Sequence, residues 1–328
     1  MKYNFLEKDF LFNYEKFLSY TDLSVPFFVD ISPSGLCNLH CRWCIGVNKK
    51  ISSCFLDRDK MFDIIENSKK MKIPCIVFDG FYGDPLLNVN TMDAIKLAID
   101  YDFSVGLGTN GLLLDSSMMN TLVNLTYIRI SLDSHKNEKY NLLKNTNGQN
   151  VDNIVKSVCE LVQLKKKLNK KIRIGFSFML QEETIDDIED MILFSKEIGV
   201  DLVQFKIDLC NNILNMSDIK KRIDYCKKYA DNNFVVFSDI FNTDDRHKKC
   251  FVPYVIYVIG PDGNAYTCCE CSDRLNRSYG NIYNESFSDI WFGQKKKNIV
   301  DAIDGTLCEV CSRHNWRINN FFNDKLFV

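Results

Sequence analysis

Ser34-Gly35-Leu36-Cys37-Asn38-Leu39-His40-Cys41-Arg42-Trp43-Cys44 follows an apolar run, Pro26–Ile31, and sets three thiols at intervals of three and then two residues. Pro26–Ile31 reads as a strand, so the thiols stand on a loop at its C-terminal end. Thiolates so spaced can each hold one iron of a 4Fe–4S cubane, leaving the fourth iron without a protein ligand. A structural zinc site wants four protein ligands, and His40 is badly placed to be the fourth here.

Outward from that loop the chain alternates between short apolar runs and longer helical patterns. The strand candidates are Pro26–Ile31, Ile73–Asp79, Phe103–Gly108, Tyr127–Leu132, Ile172–Met179 and Leu202–Ile207, with Phe234–Phe237 as a possible flank. They are nearly continuously apolar, as strands buried on both faces are. Helical patterns fall at 57–71, 88–100, 115–124, 148–169, 183–198 and 215–231, with Asp57, Asn88 and Asp115 as expected N-caps. Six strand–helix repeats imply right-handed parallel crossovers around one sheet. Six are too few for a closed eight-stranded barrel, so an open, partial (β/α)6 barrel is expected. Its active site belongs at the C-terminal ends of the strands.

The composition narrows the class. A formal net charge of −2 over 328 residues offers no basic footprint for nucleic acid. The lysine runs at 165–167 and 295–297 read as solvated helix faces. The N-terminal residues carry charges throughout, unlike a signal peptide, and no apolar stretch reaches the length of a membrane span. A cytoplasmic protein is therefore expected, in which clustered cysteines point to metal or catalysis rather than disulfides. Residues 1–24 read as an amphipathic leader, 25–247 as the barrel and 248–328 as a small second domain.

That second domain opens on Cys250 and continues as a hairpin, Tyr254–Ile259 and Ala265–Cys268 around Pro261-Asp262-Gly263-Asn264. A helix near 285–302 and the pair Cys308 and Cys311 follow. Four thiols, Cys250, Cys268, Cys308 and Cys311, can ligate every iron of a second cubane, or a zinc ion. Cys269 and Cys271 crowd the same turn and compete with Cys268. Cys75, Cys159 and Cys226 lie in apolar periodic runs and read as core residues.

The CxxxCxxC loop, with aromatic Trp43 just before its last cysteine, resembles the signature of the radical S-adenosylmethionine (SAM) superfamily. The Cys250–Cys311 set resembles the SPASM/twitch extension, in its shorter twitch form because no cysteine follows Cys311. The layout is similar to that of the 2-deoxy-scyllo-inosamine dehydrogenase type. The resemblance implies an α/β fold, a partial (β/α)6 barrel with a small C-terminal iron–sulfur domain of a β-hairpin and helices. It implies two 4Fe–4S clusters, one SAM-binding at Cys37, Cys41 and Cys44 and one auxiliary. By the same resemblance Trp43 meets the adenine. Gly80, Gly83 and Asp84 stand where a Gly-Gly-Glu-Pro element binds the SAM amino group, with Asp84 in place of Glu. Thr109, Asn110, Ser131, Asp133 and Ser177 line the SAM pocket.

The family's chemistry is reductive cleavage of SAM to a 5′-deoxyadenosyl radical, which takes hydrogen from the substrate. Lys206, Asp208 and Cys210, at the end of the sixth strand, are the candidates for substrate binding, proton removal and hydrogen-atom delivery. The expected reaction is dehydrogenation of a small polar metabolite such as a sugar or aminocyclitol. The alternative is a maturase or epimerase acting on a ribosomally made peptide or on a sugar. Either substrate is accompanied by a flavodoxin- or ferredoxin-type electron donor.

Overall fold

A computed structural model describes residues 22–44, 54–80, 83–149, 151–207, 215–238, 248–269, 278–308 and 311–326. In chain order its first half runs β1 (Phe28–Ile31), α1 (Arg58–Lys70), β2 (Cys75–Phe78), α2 (Thr91–Asp100), β3 (Ser104–Thr109), α3 (Met119–Leu122), β4 (Tyr127–Ser131), α4 (Asn137–Leu143) and α5 (Val151–Lys167). There follow β5 (Arg173–Leu180), α6 (Ile188–Ile198), β6 (Leu202–Ile207), α7 (Met216–Cys226), β7 (Val235–Ser238), α8 (Val252–Val255), β8 (Ile256–Ile259), β9 (Asn264–Tyr266), β10 (Ser278–Asn281), α9 (Phe287–Phe292), α10 (Gln294–Asp301) and α11 (Arg313–Leu326).

The chain divides into two compact units. The first comprises Met1–Leu36, Ser52–Val105 and Asn242–Val328. Within it β1 pairs in parallel with β2 on one side and with β8 on the other, Val29 standing opposite Ile76 and Tyr257. The β8–β9 hairpin foreseen from the Asp262-Gly263 turn is present, and β10 adds to it antiparallel. Gly263 holds φ +77 in that turn, a left-handed backbone that favours glycine. β8 thus extends the sheet from β1, a pairing across more than two hundred residues that no local pattern announces.

Two helices of this unit show why they fold as they do. α1 buries Met61, Ile64, Ile65 and Ser68, and α2 buries Thr91, Ala94, Ile95 and Ala98, each a stripe at i, i+3, i+4 and i+7. Asp57 caps α1 in position, with no side-chain bond to the helix. Asn88 is not the cap of α2; that place falls to Asn90. Asn88 is buried, and its amide donates to the carbonyls of Pro33 (2.9 Å) and Leu56 (2.8 Å).

The second unit comprises Cys37–Ile51 and Gly106–Phe241. Its strands β3, β4, β5, β6 and β7 pair in parallel in sequence order, so Phe234–Phe237 supplies a flanking strand. In β5, Ile174, Phe176, Phe178 and Leu180 are fully buried on one face under the helices. Ser177 and Met179 share the other face, which is the period-two alternation of a strand. The helix expected over 115–124 shrinks to α3, because Asp115 accepts from the Ser117 amide at 2.7 Å and closes a turn first. Gly199, at φ +82, ends α6 as a left-handed cap.

Among the described residues β7 and β10 each have a neighbour on one side only, so the parallel strands do not close into a barrel. The fold is α/β, an open sheet of parallel strands as a partial barrel requires. Cys75 and Cys226 are buried as core residues, whereas Cys159 is half-buried. No helix among the described residues is long and apolar enough to cross a membrane.

Candidate functional site

The second unit carries the Cys37–Cys44 loop, and the end of α4 holds it. The last carbonyls of a helix have no partner within it. Those of Leu143 and Lys144 accept from the amides of Arg42 (3.4 Å) and His40 (3.1 Å). The Cys44 amide donates to the Cys41 carbonyl at 3.0 Å, which turns the loop back between its second and third thiols. Asn110, at the end of β3, donates to Asn38 Oδ1 (2.6 Å) and toward Cys37 Sγ (3.7 Å). Its own Oδ1 accepts from the Leu112 amide at 2.9 Å, so the side chain is fixed before any ligand arrives.

A buried charge pair lies beneath. Lys144 and Asp133 form an ion pair with both side chains only 3% exposed. The Asp133 Oδ1 also accepts from the Met179 amide at 2.6 Å, so both its oxygens are engaged within the protein. Burial disfavours the Lys144 ammonium, but Asp133 and the neighbouring Cys41 outweigh it and hold its pKa above the ordinary lysine value. Its Nζ also stands 5.2 Å over the Trp43 ring and 5.8 Å from that of Tyr140, within cation–π range. Burial pushes the Cys41 thiol up to about 11, with Lys144 opposing and Asp133, Cys37 and Cys44 adding to the rise. Iron ligation removes that proton, since thiolate is the ligating form.

Lys144 escaped the sequence reading, because a lysine ending a short polar helix looks like any solvated lysine. The other second-unit candidates fall along adjacent strands. Ser131 and Ser177 are register partners across β4 and β5, and Lys206 is the register partner of Met179 across β5 and β6. Thr109 Oγ1 accepts from the Gly111 amide at 3.1 Å and is buried, which makes it a turn-former. Asp208 and Cys210 lie outside the described residues.

The first unit carries Gly80, Gly83 and Asp84. The Asp84 amide donates to the Leu36 carbonyl at 2.8 Å, and a Cβ on Gly83 would fall on the carbonyl oxygens of Ser34 and Leu36. Glycine is therefore required at Gly83 by a close backbone approach. The Asp84 carboxylate is buried and accepts from the Leu86 amide at 3.0 Å, capping the Pro85–Leu87 turn.

The same unit carries the later cysteines. Cys250 precedes α8 and Cys268 follows β9; burial pushes the Tyr279 hydroxyl well up, with Cys268 and Cys250 adding to the rise. The Gly305 amide donates to the Lys248 carbonyl at 2.8 Å, drawing the turn before Cys308 against the segment that bears Cys250. From α11, Asn319 donates toward Cys250 Sγ at 3.7 Å, while its Oδ1 accepts from the Phe251 amide at 2.6 Å. Cys268, Cys269, Cys308 and Cys311 are all half-buried. Cys271 lies outside the described residues.

Both thiol sets fit an iron–sulfur cluster in one respect that the bare spacing does not show. Each has a fixed asparagine amide directed at a sulfur, Asn110 at Cys37 and Asn319 at Cys250. Hydrogen bonds to the sulfurs are one of the levers by which a protein stabilises and tunes such a cluster. Among the described residues no three His, Cys, Asp or Glu side chains converge as ligands of a single ion would. A cubane asks for no such convergence, because each thiolate holds a different iron.

Comparison with known proteins decides the family. The family model of the radical SAM superfamily matches residues 31–195. The chain belongs to the radical SAM superfamily. A second family model, SPASM, an iron–sulfur cluster-binding domain, matches residues 250–313. As a radical SAM enzyme with that domain, the protein uses SAM and two 4Fe–4S clusters, one SAM-binding and one auxiliary. A curated relative, the tungsten-containing aldehyde ferredoxin oxidoreductase cofactor-modifying protein of Pyrococcus furiosus, is 22% identical over 284 residues, 79% of each chain. The GTP 3′,8-cyclase of Alkaliphilus oremlandii is 26% identical over 184 residues, 53% of this chain and 54% of its own. Among solved structures, SuiB of Streptococcus suis bound to S-adenosylmethionine superposes with a TM-score of 0.66 at 16% identity, covering 91% of this chain and 75% of its own. The protein anSMEcpe with bound AdoMet gives 0.64 at 17%, covering 92% and 93%. At these identities the structural likeness speaks for the fold.

Proposed function

We propose that Cys37, Cys41 and Cys44 hold the SAM-cleaving cluster, and that Cys250, Cys268, Cys308 and Cys311 hold the auxiliary one. When bound, the first cluster and SAM supply a 5′-deoxyadenosyl radical, which abstracts hydrogen from the substrate. The observation that carries this reading is the cluster loop itself. Its amides are tied to the last carbonyls of α4, and Cys41 lies beside a buried cation, Lys144. That arrangement fixes three thiols while leaving no fourth protein ligand in the loop.

The remaining roles follow from placement. Trp43, Thr109, Asn110, Ser131 and Ser177 are the proposed SAM contacts of the second unit, and Gly80, Gly83 and Asp84 those of the first. Asp133 acts through Lys144, since both its oxygens are engaged within the protein. Lys206, half-buried on the face of β6 in register with Met179 and Ser177, is the proposed substrate-binding or proton-accepting group, with Asp208 and Cys210 following it in sequence. In the first reading a base such as Lys206 would take the hydroxyl proton of a carbinol whose carbon gives up hydrogen, and the auxiliary cluster, which Cys250, Cys268, Cys308 and Cys311 would hold, would supply the electron acceptor. The substrate is then a sugar- or aminocyclitol-like metabolite, and a flavodoxin- or ferredoxin-type protein supplies the initiating electron.

A second reading, modification of a peptide, draws on the relatives. SuiB has been solved with its precursor peptide SuiA, and anSMEcpe with a Cp18Cys peptide. Product mass separates the two classes. Dehydrogenation removes two hydrogens from a small metabolite and consumes SAM. Peptide epimerisation conserves mass and imports one hydrogen from solvent. Incubation in deuterated buffer, with candidate substrates of each class, reads both outcomes by mass spectrometry.

A further inference from the structure

Lys296 breaks the pattern of its own helix. Lys295 and Lys297 are exposed, as expected of a solvated lysine run. Lys296 instead shares the inner face of α10 with Val300 and is 7% exposed. Its ammonium lies 2.8 Å over the centre of the Trp291 ring, with the rings of Tyr279 and Tyr254 at 5.8 and 5.9 Å. No carboxylate lies within ion-pair distance of it among the described residues. An apolar side chain would pack there at no electrostatic cost, whereas an unpaired buried ammonium is costly. Burial alone draws the amine down to about 6, and only the ring faces act the other way.

The box has a second odd member. Tyr279 is almost wholly buried, and among the described residues its hydroxyl has no hydrogen-bond partner. Burial is what chiefly raises both hydroxyls; Cys268 and Cys250 add to it at Tyr279, and Asp301 and then Cys250 at Tyr254. Two of the three rings around Lys296 are placed by the chain toward the proposed auxiliary ligands: Tyr254 stands four residues after Cys250, and Tyr279 follows Ser278, whose register partner Tyr266 is two residues before Cys268. A cluster held by four thiolates carries net negative charge, because the thiolates outweigh the cationic iron–sulfide core. Lys249, next to Cys250, is also cationic but exposed, so water and salt screen it. Lys296 is screened by neither.

We propose that Lys296 is the buried counter-charge of the auxiliary iron–sulfur cluster, a positioning residue that makes the cluster easier to reduce. This rests on the assignment of Cys250, Cys268, Cys308 and Cys311 to that cluster. Burial alone would leave the amine neutral above about pH 6; the anionic cluster, when bound, holds it protonated, and that positive charge in turn favours the reduced, more negative state and raises the midpoint potential. The aromatic rings keep the ammonium in place without neutralising it, which a carboxylate would do.

The test uses the full chain with Cys37, Cys41 and Cys44 replaced by alanine, reconstituted anaerobically so that only the auxiliary cluster remains. Iron analysis first establishes about four irons per chain; an iron-free parent would overturn both the ligand assignment and the proposal. With the cluster present, a redox titration followed by EPR and visible absorption compares Lys296→Met, Lys296→Gln and Lys296→Arg. The expected result is a lower midpoint potential in the Met and Gln variants, restored toward the parent in Arg. Equal potentials in all four proteins would overturn the proposal, because a packing role moves stability but not potential. If the neutral variants fail to assemble the cluster and Arg succeeds, the charge is needed; if all three fail, the side chain serves shape and the proposal falls.

Discussion

Replacing Lys144 by methionine keeps the length and apolar stem of the side chain and deletes the charge. Both members of the Lys144–Asp133 pair are 3% exposed, so water does little to screen what remains. Removing one partner of a buried pair strands the other, at about 3–5 kcal/mol. Asp133 keeps its bond from the Met179 amide, which softens the loss and places the expected value near the lower end, about 3 kcal/mol. At about 1.4 kcal/mol per tenfold, the folding constant falls roughly a hundredfold. The assay is anaerobic urea unfolding of the reconstituted protein by tryptophan fluorescence, where the midpoint drops with little change in slope. The double variant Lys144→Met with Asp133→Asn should lose less than the sum of the two single variants. A loss below about 1 kcal/mol for Lys144→Met, the range of an exposed pair, would refute the burial argument.

Two further predictions follow from named contacts. Gly83→Ala drives a methyl group onto the Ser34 and Leu36 carbonyls and should destabilise by about 1–3 kcal/mol, with weaker SAM binding by calorimetry; a variant with unchanged binding and stability contradicts the close approach. Lys296 predicts a pH dependence in the chain freed of iron by chelation. Its folded pKa of about 6 lies below the unfolded value near ~10.4, so between these values the unfolded chain binds the extra proton and stability rises with pH. The slope should approach about 1.4 kcal/mol per pH unit and be absent from Lys296→Met, as read by denaturant midpoints across that window.

The sheet was legible where the signal is local. β1 to β6 each fall within two residues of an apolar run, since strands buried on both faces need no partner to be recognised. The CxxxCxxC spacing was legible for the same reason: its three thiols lie within eight residues of one another. What escaped is non-local. β8 reads as one arm of a hairpin, and only the folded chain shows its other edge against β1. Lys144 and Lys296 both look like surface lysines, because charge in a sequence reports solvation and burial is decided by what packs over it. Asn88 and Asp115 look like helix caps, yet Asn88 bonds two distant carbonyls and Asp115 closes a turn of its own. Asn319 carries no signal in the sequence, and Asn110, expected at the SAM pocket, gives none of its bond toward a thiol until the fold shows both amides facing sulfur.

The central claim is that three thiols on the loop after β1 cleave SAM while four later thiols hold a separate cluster. Anaerobic reconstitution, iron analysis and chromatography of the products of SAM with dithionite test it together. The account predicts about eight irons per chain and 5′-deoxyadenosine release. In the Cys37, Cys41 and Cys44 triple alanine variant, about four irons remain and release is abolished. Continued release by that variant, or bound zinc in place of the remaining iron, would contradict it.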